Sequence, residues 1–166
     1  ARVWRRGCFD FLVICLYGPV EQGSQGVSAL AQLLKWADLV VSTTSRRTVP
    51  IVLGDFNAQV APDVRRARDS VGPSLCGPAP TSAHGDLVAK WWQQCKLGAV
   101  NTWVERAAGP TFFGGAGHSR IDYVCLPLDM IPSCTAAVPV SLGLRLQPRF
   151  AMHLYDHAPV CVHFKY

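Results

Sequence analysis

The segment from Gly54 to Asn57, Gly-Asp-Phe-Asn, places a carboxylate and an amide close together, directly after the apolar run Pro50 to Leu53. The irregular backbone that follows a buried strand commonly presents functional side chains on a rigid support. There, Asp55 can orient or deprotonate a water molecule, and Asn57 can hold that water or a phosphate oxygen. The alternative is a tight turn, in which Gly, Asp and Asn serve only because they tolerate unusual backbone angles.

His157 has the residue type of a general acid or base, and it lies between Asp156 and the sequence Ala158-Pro159, which precedes an apolar segment. Because proline restricts the backbone, we expect the ring to be held at the entrance of a strand. A single histidine can equally be a structural residue with satisfied hydrogen bonds. Zinc binding by His153 and His157 on one helical face is a further alternative, which the proline and the strand pattern disfavour.

The segment from Ser119 to Val124, Ser-Arg-Ile-Asp-Tyr-Val, has the alternation of a strand, with Ile121 and Tyr123 on one side and Asp122 on the other. A carboxylate on an otherwise apolar strand requires a partner. A histidine is a suitable one, because an Asp–His pair fixes the tautomer of the imidazole and stabilises the imidazolium. A salt bridge to Arg120 or to another arginine is the alternative.

Strands and two helices must position these groups. Short apolar runs that end in turn residues indicate buried strands at Phe9 to Tyr17, before Gly18-Pro19, and at Pro50 to Leu53. Apolar residues at helical spacing indicate helices over Ser28 to Val41 and His84 to Cys95. The remaining predicted strands are Leu97 to Trp103, Thr111 to Phe113, Ser119 to Leu126, Ala137 to Leu146 and Pro159 to Phe164, with a loop over Pro62 to Pro80. This pattern predicts one α/β domain over residues 1–166, with helices covering the faces of a sheet.

The formal net charge of +5 comes mainly from arginine, in the groups Arg2/Arg5/Arg6, Arg46/Arg47 and Arg65/Arg66/Arg68. Clustered guanidinium groups suit a polyanionic phosphate partner, because they donate paired hydrogen bonds to phosphate oxygens. A solvated basic surface would give the same composition. No apolar run approaches the roughly 18 to 20 residues of a membrane helix, so we expect a soluble protein with no membrane partner.

The seven cysteines form no Cys-x-x-Cys pair, and their odd number leaves one without a disulfide partner. A zinc ribbon and a closed disulfide framework are therefore not indicated, and we expect a reducing, intracellular setting. The chain opens at Ala1, without a methionine and without a basic-then-apolar signal peptide. We expect it to be part of a longer domain.

Five motifs are informative as an ordered set. They are Leu-Tyr-Gly-Pro at 16–19, Leu-Gly-Asp-Phe-Asn-Ala at 53–58, Asn-Thr-Trp at 101–103, Ser-Arg-Ile-Asp-Tyr-Val at 119–124 and Asp-His-Ala-Pro-Val at 156–160. From about Phe9 to its end, the chain resembles the endonuclease/exonuclease/phosphatase superfamily. Trp103 and the Ser-Arg-Ile-Asp-Tyr element look most like the apurinic-type endonuclease domains of non-LTR retrotransposons.

The resemblance implies a four-layered α/β sandwich and Mg²⁺- or Mn²⁺-dependent hydrolysis of phosphodiesters. The implied partner is nucleic acid, with DNA favoured. If the chain derives from a retroelement, a reverse transcriptase domain in the same natural polypeptide and a nuclear location would follow. Asp156 would lie beside the metal, as a direct or water-mediated ligand.

The same resemblance implies a role for each of the other site residues. Asp55 would position and activate the attacking water, and Asn57 would hold that water or the phosphate. His157 would contact the scissile phosphate and handle protons, oriented by Asp122. Tyr17 would hydrogen-bond a phosphate oxygen through its phenol group.

The chain departs from the family pattern in two places. The family carries an upstream glutamate, usually after a glutamine, as its principal metal ligand, and neither Glu21 nor Glu105 matches that position. A hard cation without that oxygen ligand loses its best anchor. We therefore expect residues 1–166 alone to be inactive or impaired, and a longer natural chain to contain the missing first strands. Tyr155 stands where a Ser or Thr commonly precedes the Asp-His pair, which would at most weaken activity.

Three functions remain open on the sequence alone. The first is a retroelement-like nuclease that nicks DNA. The second keeps the fold and hydrolyses a smaller phosphoester, as a phosphatase or a sphingomyelinase-like enzyme. The third is a degenerate, non-catalytic remnant that binds nucleic acid or a protein partner.

Overall fold

A computed structural model of the chain describes residues 1–60, 70–73, 81–103, 109–114, 117–137 and 157–165. The strands within these residues are β1 (Arg2–Arg5), β2 (Phe9–Tyr17), β3 (Val49–Asp55), β4 (Leu97–Ala99), β5 (Phe112–Gly114), β6 (Gly117–Ser119), β7 (Asp122–Pro127), β8 (Cys134–Ala137) and β9 (Cys161–Phe164). The helices are α1 (Gly23–Ser42) and α2 (Ala83–Cys95). Short 3₁₀ turns at Val100–Thr102 and Leu128–Ser133 follow β4 and β7.

Five strands form one mixed sheet in the order β1-β2-β3-β7-β4. β2 and β3 are parallel, which requires the crossover that α1 provides, and the other neighbouring strands are antiparallel. The register places Tyr17 opposite Asp55 and Asp55 opposite Asp122. The ends of β2 and β3 and the start of β7 therefore meet at one end of the sheet.

The structure confirms the α/β class, both predicted helices and the two long parallel strands. β2 has the predicted bounds, whereas β3 and α1 are longer than predicted. The prediction that β2 is buried holds for one face only: Ile14 and Leu16 are buried, and Cys15 and Tyr17 are exposed. Alternate residues of a strand lie on opposite faces of the sheet, so packing of α1 on one face leaves the other more open.

Both helices pack on the same face of the central sheet. Leu30 and Leu34 of α1 and Trp92 of α2 are buried against sheet residues such as Val52 and Cys125. The Trp92 ring also makes edge-to-face contacts with Phe56 and Tyr123, with centroid distances of 5.7 and 5.0 Å. Such aromatic pairs stabilise a core beyond the area that they bury.

The two-stranded ribbon of β8 and β9 belongs to a second layer on the opposite face. Leu126 is buried there, with Ile51, Val162 and Phe164 packed around it. The Phe164 ring also meets Phe11 of β2 edge-on, at a centroid distance of 5.6 Å. The apolar alternation predicted for the last strand therefore contributes to a second, smaller core.

Two predicted strands differ from those in the structure: one ends early and the other is interrupted. The predicted strand Leu97 to Trp103 was too long: β4 ends at Ala99, and the Thr102 hydroxyl donates to the Ala99 carbonyl at 2.6 Å within the 3₁₀ turn. The predicted strand Ser119 to Leu126 is also interrupted. Its first residue ends β6 and Asp122 begins β7, because the chain passes from the β5–β6 hairpin into the central sheet between them.

Several predictions lie mainly outside the described residues. They are the strand Ala137 to Leu146, most of the loop Pro62 to Pro80, and the positions of Glu105, His153, Tyr155 and Asp156. Within the predicted loop, Val71 is described and forms a parallel bridge with Ala99 of β4. Among the helices that the structure describes, none is both long enough and apolar enough to cross a membrane.

Gly54 is required by the close approach of β3 to β2. Its φ angle is +143°, and an added Cβ atom would lie 1.9 Å from the Leu16 carbonyl oxygen. A residue with a side chain would therefore combine backbone strain with a backbone clash. Gly109 gives a matched comparison, because a Cβ atom there meets nothing within 4 Å.

We expect Gly54→Ala to lower the free energy of unfolding by at least about 3 kcal/mol, because backbone atoms must separate to admit the methyl group. Gly109→Ala should change it by less than about 0.5 kcal/mol, as is usual for surface substitutions. Urea denaturation followed by circular dichroism measures both values. Equal midpoints for the two variants would contradict this account of Gly54.

Candidate active site

The segment after β3 is fixed by backbone hydrogen bonds to both neighbouring strands. The Gly18 N–H donates to the Asp55 carbonyl at 2.7 Å, and the Phe56 N–H donates to the Ile121 carbonyl at 2.9 Å. Asn57 has a φ angle of +45°, in the left-handed region that asparagine tolerates better than most residues. Gly54 and Asp55 thus end β3, and Phe56 and Asn57 continue as irregular backbone rather than as the tight turn of the structural alternative. The strand end presents the Asp55 carboxylate.

Asn57 is oriented by its own side chain. Its amide nitrogen donates to the Gly18 carbonyl at 2.8 Å, and its backbone N–H donates to Asp55 Oδ1 at 2.8 Å. The second amide hydrogen and the amide oxygen of Asn57 make no hydrogen bond with another described residue. Asn57 therefore supports this segment and still has polar atoms free for a ligand.

Asp122 and His157 form the predicted pair. The His157 Nδ1 lies 3.0 Å from Asp122 Oδ2 and 3.2 Å from Asp122 Oδ1. An ionised carboxylate only accepts hydrogen bonds, so Nδ1 carries the ring hydrogen and donates a hydrogen bond to Asp122. This arrangement leaves Nε2 as the free acceptor of the neutral ring. A salt bridge to Arg120, the alternative considered for Asp122, is not what this geometry supports.

The ring of His157 is held from the other side by residues 111 and 112. The Ala158 N–H donates to the Thr111 carbonyl at 2.7 Å, and His157 forms a β-bridge with Phe112. The Phe112 ring meets the imidazole at 60°, with centroids 5.1 Å apart. His157 therefore lies in extended backbone and not in a helix, whereas His153, its partner in the zinc alternative, lies outside the described residues.

Asp55 approaches the free nitrogen of the same histidine. Its Oδ2 is 3.9 Å from His157 Nε2, too far for a direct hydrogen bond and close enough for one oxygen atom to contact both. The His157 side chain is 35% exposed, against 12% for Asp55 and 20% for Asp122. The imidazole is therefore the most accessible of the three groups.

Burial raises the pKa of both carboxyl groups. Desolvation is the largest cause for Asp55, and it is opposed by the hydrogen bond from the Asn57 N–H and by the nearby His157. For Asp122, desolvation is again the largest cause, opposed by the Thr111 hydroxyl and His157, while the Asp55 charge raises its pKa further. Two partly buried carboxylates thus face each other across the β3–β7 ladder, an arrangement that a proton or a cation would relieve.

The donor set fits a divalent cation. The nearest ligand atoms of Asp55, Asp122 and His157 all lie within 4.8 Å of one another. Carboxylate oxygens are the ligands that Mg²⁺ prefers, and a cation would offset the charge of two partly desolvated carboxylates. Asp156, which the family resemblance implies as a metal ligand, lies outside the described residues.

Tyr17 reaches the same end of the sheet but contacts neither Asp55 nor His157 through a hydrogen bond. It is opposite Asp55 in the register and 74% exposed. Its hydroxyl makes no hydrogen bond with the described residues, so it is free to bind a ligand at the rim of the site.

Thr111 is a positioning residue that sequence reasoning missed. It is fully buried, and its hydroxyl oxygen accepts from the N–H groups of Ile121 and Asp122, each at 3.1 Å. The same hydroxyl hydrogen-bonds the Asp122 carboxylate. Because the Thr111 carbonyl also accepts from Ala158, one residue links both members of the Asp122–His157 pair. The only indication of this role in the sequence was that Thr111 follows Gly-Pro and precedes a short strand.

Asn101 and Tyr123 have comparable structural roles. The buried Asn101 amide donates to the Asp122 carbonyl at 3.0 Å and accepts from the Val124 N–H at 3.3 Å, which extends the ladder beyond β4. The Tyr123 hydroxyl lies 2.7 Å from the Arg120 carbonyl and 3.1 Å from that of Ala58. Both residues lie in motifs quoted above, but their types gave no indication of these contacts.

His84 is a second histidine near the site. It is fully buried at the start of α2, and its Nδ1 lies 3.1 Å from the Asn57 carbonyl. The same end of α2 is tied to the segment after β3 by Ser82, whose N–H donates to the Gln59 carbonyl at 3.0 Å. His84 thus contacts the backbone of that segment and not the Asp55 carboxylate.

We expect Thr111→Val to destabilise the fold by roughly 1 to 3 kcal/mol, because it leaves two buried N–H groups without their acceptor. Thr111→Ser keeps the hydroxyl and should recover most of that loss. Thermal unfolding of the two variants checks the expectation. If Thr111→Ser were no more stable than Thr111→Val, the hydrogen bonds of the Thr111 hydroxyl would not be what stabilises the start of β7.

The raised pKa of Asp55 gives a prediction with a defined sign. Between the ordinary carboxyl pKa and the raised one, the folded chain binds more protons than the unfolded chain, so the contribution of Asp55 to stability falls as pH rises through that window. Asp55→Asn removes the desolvated charge and keeps an acceptor for the Asn57 N–H. At neutral pH, with chelator present, we expect its melting temperature to exceed the wild type by about 2 to 4 °C, corresponding to roughly 1 kcal/mol.

The control for Asp55→Asn is Asp129→Asn, since Asp129 is an exposed carboxylate in the 3₁₀ turn after β7. Its melting temperature should match the wild type. Below the ordinary carboxyl pKa both forms of residue 55 are neutral, so the advantage of Asp55→Asn must disappear. An advantage that persists in acid would have a different origin.

Comparison with solved structures identifies the fold. The chain superposes on an AP endonuclease from Archaeoglobus fulgidus with a TM-score of 0.65 and 17% identity, covering 94% of this chain and 62% of that one. It superposes on the 3′ phosphatase NExo from Neisseria, bound to a product DNA hairpin, with a TM-score of 0.61 and 18% identity, covering 96% and 62%. The endonuclease domain of TRAS1, a telomere-specific non-LTR retrotransposon, gives 0.56 and 16%, covering 95% and 57%.

No protein-family model matches the chain, and no curated protein matches it in sequence. The chain spans less than two thirds of the length of the solved structures named above. The superpositions nevertheless cover nearly all of its own residues. The chain therefore has the α/β fold of the endonuclease/exonuclease/phosphatase superfamily, as the sequence motifs predicted.

Proposed function

We propose that the chain carries the water-activating and proton-transferring part of a Mg²⁺- or Mn²⁺-dependent phosphodiesterase, and that its substrate is DNA. The observation that carries the proposal is the placement of His157 between Asp122 at Nδ1 and Asp55 near Nε2. Hydrolysis of a phosphodiester requires an oriented water, relief of charge on the phosphoryl oxygens and a means of moving protons.

In this proposal Asp55 accepts a hydrogen bond from the attacking water and orients it. Its 3.9 Å separation from His157 Nε2 allows the same molecule, or a substrate oxygen, to contact both groups. The imidazole takes up the proton of the water at Nε2 as the new P–O bond forms, and it returns that proton to the leaving oxygen as the old P–O bond breaks. The Asp122 carboxylate stabilises the imidazolium between these two events. Asn57 and Tyr17 bind phosphate oxygens with their free polar atoms, and a divalent cation, when bound at the carboxylate oxygens with Asp156, would neutralise phosphoryl charge.

Three observations favour DNA over a small phosphoester. The NExo structure contains a product DNA hairpin, and the TRAS1 domain is the endonuclease domain of a retrotransposon. The net charge of +5 also suits a polyanionic substrate. If the chain derives from a retroelement, we also expect a nuclear location and a reverse transcriptase domain in the same natural polypeptide.

The test is nicking of supercoiled plasmid DNA with Mg²⁺, with and without chelator. Asp55→Asn and His157→Ala should each lower the nicking rate at least about 100-fold, the contribution expected of acid–base groups. Lys35→Gln, at an exposed cation in the groove between α1 and α2, should leave the rate unchanged. Nicking that survives both site variants, or that survives the chelator, would be incompatible with the proposed chemistry.

Residues 1–166 alone should nick much more slowly than a chain extended upstream by a segment that supplies a further metal-binding carboxylate, because the cation then gains an oxygen ligand. The site variants are therefore best compared in the more active form. Equal rates for the two forms would refute the expected impairment. Release of phosphate or phosphocholine from small esters, without plasmid nicking, would instead support a phosphatase or sphingomyelinase-like enzyme.

A further inference from the structure

A group of arginines collects at the end of the sheet opposite the candidate active site. Arg5 and Arg6 lie in and beside the turn between β1 and β2, and Arg46 and Arg47 lie in the loop between α1 and β3. All four side chains are exposed. The sequence separates these two groups widely, and the fold brings their segments together. We call this the far-end basic surface.

Asp10 connects the two segments. Arg2 donates to both Asp10 oxygens, at 2.7 and 2.6 Å, and the Thr48 hydroxyl donates to Asp10 Oδ2 at 2.8 Å. The hydrogen bond from Arg2 lowers the pKa of Asp10, so the carboxylate stays ionised and committed to these partners. The loop that carries Arg46 and Arg47 is therefore fastened directly to the start of β2.

The far-end basic surface continues into an open cleft of about 720 Å³. Arg46 and Lys96 both line this cleft, together with Asp129 and Cys95, whose thiol donates to Asp38 at 3.3 Å. Lys96 is exposed and ends α2 in the left-handed conformation. A line of cations thus runs from the β1–β2 turn, past the 45–48 loop, to the end of α2.

The cations outnumber the carboxylates, and all but Arg2 lack an ion pair with a described residue. The far-end cations are Arg2, Arg5, Arg6, Arg46, Arg47 and Lys96, and the nearby carboxylates are Asp10, Asp38 and Asp129. Of these cations only Arg2 forms an ion pair with a described residue. The side chains of the other five make no hydrogen bond or ion pair within the described part of the chain. The surface therefore carries a net positive charge that the fold itself does not use.

This surface cannot contact the same nucleotides as the catalytic residues. β3 runs from Val49 beside the arginine loop to Asp55 at the site, seven residues in all, which corresponds to roughly 20 Å of extended chain. At a rise of about 3.4 Å per nucleotide, that separation corresponds to about six nucleotides of a B-form strand. Whatever binds at the far end is therefore a second strand, or a part of the first strand beyond the nucleotides at the site.

We infer that the far-end basic surface binds the phosphate backbone of a single-stranded nucleic acid, separately from the strand at the candidate active site. Arginine suits phosphate because its planar fork donates two parallel hydrogen bonds to phosphate oxygens. Trp4 lies on β1 on the same face as Arg2, opposite Asp10 in the register, and it is 64% exposed. An exposed indole is a platform on which an unpaired base can stack. This end of the domain therefore offers both arginines for phosphate groups and an aromatic ring for a base.

The experiment measures fluorescence anisotropy of a labelled 20-nucleotide single strand, as DNA and as RNA, titrated with the protein in chelator. Arg5→Gln/Arg6→Gln and Arg46→Gln/Arg47→Gln should each weaken binding about fivefold or more, and each should lower the slope of log K against log salt by about 1.4, or 0.7 for each lost phosphate contact. Trp4→Ala should weaken binding by about fivefold or more through lost stacking.

The matched control is Lys35→Gln/Lys90→Gln, which removes two exposed cations from the groove between α1 and α2. Its affinity should stay within about twofold of the wild type, since these lysines are remote from the proposed contacts. Equal losses for the lysine and arginine pairs would show diffuse attraction and overturn the inference. So would unchanged oligonucleotide binding by the arginine pairs combined with lost binding to phosphatidylserine vesicles, which would assign the surface to a membrane.

This inference does not rest on the proposed hydrolysis. Binding is measured without metal, so a chain that never cleaves DNA gives the same result at the far-end basic surface. A preference for DNA or for RNA would identify the strand, and both outcomes support the inference. Binding of duplex alone, with single strands left unbound, would exclude it.

Discussion

The pairing of β3 with β7 places two carboxylates, Asp55 and Asp122, opposite each other at one end of the sheet. Water solvates neither of them fully, so burial raises the pKa of both. An arrangement of this kind is unfavourable for folding and persists only where the surrounding structure enforces it. Much of the rest of the described structure can be understood as the means of enforcing it.

Hydrogen bonds hold both carboxylates in place at the strand ends. The Asn57 N–H holds one oxygen of Asp55, and the Thr111 hydroxyl and His157 hold Asp122. Behind them, Tyr123 fastens the segment after β3 to β7, and its ring packs against Phe56 and Trp92 in the core. The core under the helices and the charged site are therefore one connected structure, and a cavity in the first would loosen the second.

The sequence predicted the parts of this arrangement that depend on local order. Strand and helix positions followed from apolar spacing, and the Asp122–His157 pair followed from the need of a carboxylate on an apolar strand for a partner. The predictions failed where hydrogen bonds from side chains replace those between backbone groups. Asn101 continues the ladder after β4 ends, and Thr111 receives the N–H groups of Ile121 and Asp122 where the chain changes sheets. Neither contact can be predicted from the spacing of apolar residues, because each joins residues at least ten positions apart.

The two ends of the sheet carry opposite charge, and this follows from the same topology. Parallel β2 and β3 direct their carboxyl ends, with Asp55, to one end, and the connections before them, with Arg46 and Arg47, to the other. A phosphate approaching the carboxylates is repelled unless a cation is present, whereas a phosphate approaching the arginines is attracted at once. A nucleic acid would therefore first be held at the basic end, where binding needs no metal. Under the proposed function, engagement of the carboxylate end would depend on a divalent cation, so attachment and cleavage would be controlled separately within one small domain.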